Sequence, residues 1–78
     1  MTNPRNVDLE YALLAVLMYL PDRLARQYAQ EQLDIVMKGK AADQKKLARI
    51  VKLINARSLT AQHIDVYRAL PVIEAASR

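Results

Sequence analysis

The sequence predicts an all-α fold, a compact bundle of about four short helices over residues 7–20, 21–38, 43–56 and 60–70 with a short C-terminal turn. Three observations carry this expectation. The chain has one Gly, three Pro and 53% apolar residues, a balance that neither disordered nor β-rich chains show. Leu47, Ile50, Val51 and Ile54 recur at i, i+3, i+4 and i+7, one stripe of a 3.6-residue period. No segment alternates apolar and polar residues in the manner of a half-buried strand.

The first helix follows from Asn6, a good N-cap, with Asp8 and Glu10 placed to complement the helix dipole. Pro21 ends it and is positioned to serve as the first residue of the second helix, so Leu20-Pro21-Asp22 reads as a sharp corner. The second helix is amphipathic, with Leu24, Ala25, Tyr28, Ala29, Ile35 and Val36 on its apolar side. Gly39 supplies the residue that closes it after Lys38.

Asp43 is the expected cap of the third helix. For the fourth, Thr60 is the expected cap, with Leu59 and Ile64 as a hydrophobic staple around it. Pro71 is expected to break or kink the fourth helix after Leu70, leaving residues 72–76 to add a final turn. Residues 1–78 read as one helical domain, with 1–5 and 77–78 frayed.

Chain length bears on function. A core built from 78 residues is marginal, and chains of this size often add a disulfide, a metal or a second subunit. With no cysteine, disulfides and the commonest structural zinc sites are excluded, so a homodimer is the remedy left open. Absence of cysteine also suits a cytoplasmic setting. The uncharged run YALLAVLMYL (residues 11–20) falls short of the roughly 20 apolar residues that span a bilayer. Asp8 and Glu10 before it, and Pro21-Asp22-Arg23 after it, do not fit a signal peptide. No membrane role is expected.

Catalysis has little to draw on. Gly-rich phosphate loops, paired zinc-binding histidines and calcium loops are all missing. Ser58, His63 and Asp65 are the sole approach to a hydrolytic set, and their order on a helix start gives no reason for convergence. The sequence therefore predicts a non-enzymatic protein with no cofactor, no metal and no small-molecule substrate.

Two surfaces stand out instead. A helical wheel over Leu9–Leu20 gathers Leu9, Leu13, Val16, Leu17 and Leu20 into an aliphatic core stripe. Its back carries Tyr11, Ala12, Ala15, Met18 and Tyr19, with Leu14 on the border. That back is either internal core or an interface, since Tyr and Met are enriched at interfaces and Ala permits close helix approach. Tyr11, Ala15, Met18 and Tyr19 are its candidate contact residues, with self-association the favoured use.

The second surface is basic. Residues 38–57 hold seven Lys or Arg against one acid, Asp43. Lys45, Arg49 and Lys52 fall opposite the apolar stripe of the third helix, with Lys46 and Arg57 to one side. Such a face suits phosphate backbones, an acidic protein or plain water.

The sequence expectation is thus a small regulatory or inhibitory protein that binds another protein or complex as a homodimer. Small stand-alone helical proteins of this kind are typical of bacterial or phage accessory factors, an association that no motif carries. The alternative is a dimeric helix-turn-helix DNA-binding regulator over residues 43–70. It needs Leu59, Thr60, Ile64 and Tyr67 at its packing and capping positions, and Gln62, His63 and Arg68 for base readout. Ile54 at the usual small position, Ser58 at the usual turn glycine and Asp65 toward the groove depart from that pattern.

Overall fold

The computed structural model describes residues 6–57 and 63–78, and among them it has four α-helices and no strand. They are α1 (Val7–Tyr19), α2 (Arg23–Met37), α3 (Gln44–Asn55) and α4 (Ile64–Ala76). The expected Thr60 cap and Leu59 staple, and residues 1–5, lie outside the described residues. α1 packs on α2 and α4, and α3 packs on the same two helices, so the four form a closed circuit with α1 and α3 at opposite corners. The Cα radius of gyration, 11.6 Å, is that of a compact chain of this length, about 11.5 Å.

The caps explain the helix boundaries. The Asn6 side chain accepts from the Leu9 N–H at 3.1 Å, as the sequence leads one to expect. Asp43 Oδ1 accepts from the N–H groups of Lys45 and Lys46 and fixes the start of α3. Gly39, at φ 76°, closes α2 in a Schellman arrangement. Lys40 N–H donates to the Ile35 carbonyl and Gly39 N–H to that of Val36, and the positive φ is why glycine stands there.

Two boundaries differ from expectation. Pro21 is not the first residue of α2. Asp22 takes an extended backbone, and its Oδ1 accepts from the Ala25 N–H at 3.0 Å, so the carboxylate caps a helix that begins at Arg23. Pro21 instead precedes the cap and stiffens the corner.

Nor does Pro71 end α4, which continues to Ala76 and brings Ile73 into the core. Burial of that side chain offsets what Pro costs in a helix interior, where it lacks an N–H to bond residue 67. Pro71→Ala should therefore raise stability by up to about 3 kcal/mol, read as a higher urea midpoint. A variant no more stable than the parent would show that the packing of Ile73 needs the backbone geometry Pro71 imposes. Ser77 Oγ donates to the Glu74 carbonyl at 2.8 Å, and Gln44 Nε2 donates to the Arg78 carbonyl at 2.8 Å.

The core follows the predicted stripes with adjustments. Leu9, Leu13, Val16 and Leu20 of the first segment are buried with Leu47, Ile50 and Ile54 of α3 and Val66, Ala69 and Ile73 of α4. Leu17 is only partly covered, and Leu24 is exposed although it falls on the apolar side of α2. Gln32 is buried instead, and its Oε1 accepts from the Asp43 N–H at 2.7 Å. One side chain thereby joins the middle of α2 to the cap of α3, and its desolvated carbonyl oxygen is satisfied.

Candidate functional site

The α1/α4 surface is built from small residues below and large ones above. Ala12 and Ala69 are buried, so the two helices approach closely. On the outer side of α1, Tyr11 is 69% exposed and Met18 60%, with Tyr19 and Leu14 also exposed. With 3.6 residues per turn, Val7, Leu14, Met18, Tyr11, Ala15 and Tyr19 fall within about 140° of the helix circumference. Asp8 is the one charge on that arc.

Between this arc and α4 runs an open groove of about 440 Å³. From α4 it takes Asp65, Arg68 and Val72, so both signs of charge border an apolar floor. Of the residues singled out by sequence, the structure thus brings Tyr11, Ala15, Met18 and Tyr19 together in one groove. Ala12 belongs to the core; Arg68 was singled out for base readout rather than for this groove, and Val72 falls beyond the helix end expected at Leu70.

The basic face divides. Arg57 donates from Nε to Asp22 Oδ2 at 3.0 Å, and its Nη2 lies 2.9 Å from the same oxygen. Lys46 pairs with Glu31 at 3.2 Å and lies over the Tyr28 ring, 5.9 Å from its centroid. Both are therefore engaged within the fold, whereas Lys45, Arg49 and Lys52 point outward with no ion pair among the described residues. The partners Glu31, Tyr28 and Asp22 have no mark in the sequence that assigns them this role.

Asp22 serves two helix ends at once. The Ala25 N–H first, and the Arg57 guanidinium second, hold its carboxyl below the ordinary 3.8 against the opposing effect of burial. A carboxylate lowered on folding stabilises above its unfolded pKa, and that contribution is lost as pH falls through the folded value. The stabilising effect should thus fade below about pH 4. Asp22→Ala is expected to cost about 1 kcal/mol at pH 7 and much less at pH 3, whereas Asp22→Asn keeps the cap and loses less. Urea melts of the three proteins at the two pH values check this.

The geometry bears on the helix-turn-helix alternative. That arrangement buries the residues at positions 64 and 67, yet Ile64 is 52% exposed and Tyr67 46%. Ile54, at its small-residue position, is a core residue. Of the readout set, His63 sits half-buried at the start of α4, Arg68 lines the α1/α4 groove, and Gln62 lies outside the described residues, as does Ser58 of the hydrolytic set. Among the described residues no three His, Asp or Glu side chains are grouped to hold a metal ion. No described helix is long and apolar enough to cross a membrane. Comparison with protein-family models, with curated proteins and with solved structures gives no match for this chain.

Proposed function

We propose that this chain is a non-enzymatic regulatory or inhibitory protein that acts by binding another protein or complex, and that it does so as a homodimer. The observation that supports this reading is the apolar arc of α1, with Tyr11, Leu14, Met18 and Tyr19 exposed beside the α1/α4 groove and Asp8 its one charge. Soluble monomers avoid contiguous apolar patches of this kind, and Tyr and Met are the residue types that interfaces favour.

A second copy is a fitting occupant because the groove carries both signs of charge. In a two-fold dimer the same patch meets itself, so Arg68 of one chain can face Asp8 or Asp65 of the other. Pairing through α1 and α4 also adds the buried area that a chain of this length lacks.

Mass measurement of the free full-length protein across a concentration series tests the reading. A dimer has twice the 8.9 kDa of the chain. A protein still monomeric at about 100 μM would overturn self-association as the use of this face.

A further inference from the structure

We propose that the outer ridge of α3, made by Lys45, Arg49 and Lys52, docks on the phosphate backbone of a nucleic-acid duplex. This rests on α3 alone and is independent of the α1/α4 groove, which lies toward the opposite corner of the helix circuit. With 3.6 residues per turn and a 1.5 Å rise, the three cations span about 10 Å along the helix within about 60° of arc. They stand diametrically opposite Leu47, Ile50 and Ile54, which are buried, so the ridge points straight out of the fold.

Charge is concentrated there. Residues 38–57 carry seven Lys or Arg and one acid, net +6, while the rest of the chain carries five Lys or Arg and seven acids, net −2. The field of the molecule is thus set by one corner. Glu31 and Asp22 pair with Lys46 and Arg57 at the flanks, and among the described residues no carboxylate forms an ion pair with the ridge.

The chemistry of the ridge selects among anionic partners. Exposed large apolar side chains occur on α1, α2 and α4 and none on α3. Protein interfaces take most of their energy from buried aromatic or aliphatic anchors, which this ridge cannot offer to an acidic protein. It has no aromatic residue to stack on unpaired bases either, which disfavours single strands. A duplex backbone needs neither anchor nor stack, because cations that displace condensed counterions supply its non-specific affinity. With Ile64 and Tyr67 exposed, α4 is not packed as a base-reading helix, and the expected contact is with phosphates, independent of sequence.

Fluorescence anisotropy of the full-length protein with a labelled mixed-sequence DNA duplex on the order of 30 base pairs tests this. Three phosphate contacts per ridge predict a slope of log affinity against log salt of about −2.7, a roughly 40-fold loss between about 50 and 200 mM salt. Arg49→Gln with Lys52→Gln should flatten the slope to about −0.9. Arg23→Gln with Arg26→Gln removes the same charge on the side of α2 that faces α1, away from the ridge, and should leave the slope unchanged. All four side chains are exposed, and circular dichroism is the check that each variant remains folded. No binding at about 50 mM salt, equal losses in the two double variants, or tighter binding of a polyglutamate peptide than of the duplex would each overturn the proposal.

Discussion

Tyr11→Asp combined with Met18→Asp is expected to convert the proposed dimer into monomers with unchanged helical content. Both side chains are mostly exposed in the isolated chain, so the new carboxylates remain in water and the core is not touched. In the dimer they would be buried against a second copy of the same apolar arc. An unpaired buried charge costs several kcal/mol, and loss of a central Tyr removes a preferred anchor. Dimer affinity should fall at least about 100-fold, equivalent to about 2.7 kcal/mol.

The charged rim offers a check of symmetry. Arg68→Glu should weaken a two-fold dimer, and Arg68→Glu with Asp65→Arg should restore part of the loss if the two positions face each other across the axis. Sedimentation velocity reads both effects. A double aspartate variant that stays dimeric would place the contact elsewhere. One that loses its helical signal would instead show that the arc is needed for folding.

The distinction between core and surface on α1 was only half legible in the sequence. Leu9, Leu13, Val16 and Leu20 declare themselves by spacing, since they share one side of a helical wheel. The back of the helix has no such contrast, because Tyr, Met, Ala and Leu are all apolar and the periodic signal is flat there. Only the packing of α4 divides it, covering Ala12 and leaving Tyr11 and Met18 in the open. α3 was legible throughout: its apolar stripe, its Asp43 cap and its cationic ridge all alternate strongly.

The errors have local causes. At Leu20-Pro21-Asp22 two start signals compete, and proline at the first helical position is as plausible from sequence as an aspartate cap. The Asp22 hydrogen bond to Ala25 decides between them. At Pro71 the local preference to end a helix is set against the gain of burying Ile73, a tertiary effect that no window around the proline contains. Gln32 could have been found. It occupies the i+7 place in the series Ala25, Ala29, Gln32, Leu33 and Val36, all of which are buried, so its spacing marks it as inward whatever its polarity. Its acceptor role toward Asp43 depends on the path of the connection between α2 and α3, which spacing does not encode.

Two neighbouring leucines give the largest expected difference in stability. Leu13 is fully buried at 0% exposure, while Leu14, the next residue, is 37% exposed beside the groove. Leu13→Ala removes buried methyl groups and leaves a cavity, at a cost of about 2–5 kcal/mol. A chain of this size has only about 4–12 kcal/mol in all, so the midpoint of thermal unfolding should drop by roughly 12–30 °C or the protein should fail to fold. Leu14→Ala makes no such cavity and should change the stability of the isolated chain by roughly 0.5 kcal/mol or less. Its effect belongs to association instead, since Leu14 is part of the arc offered to a second copy. Stability of a dimer depends on concentration, so melts at two protein concentrations separate the cases. Leu13→Ala should lower the midpoint equally at both. Leu14→Ala should lower it where the parent is dimeric and match the parent where dilution has made both monomeric. Equal losses from the two substitutions at every concentration would mean that Leu14 is a core residue, and the outer face of α1 would no longer be a docking surface.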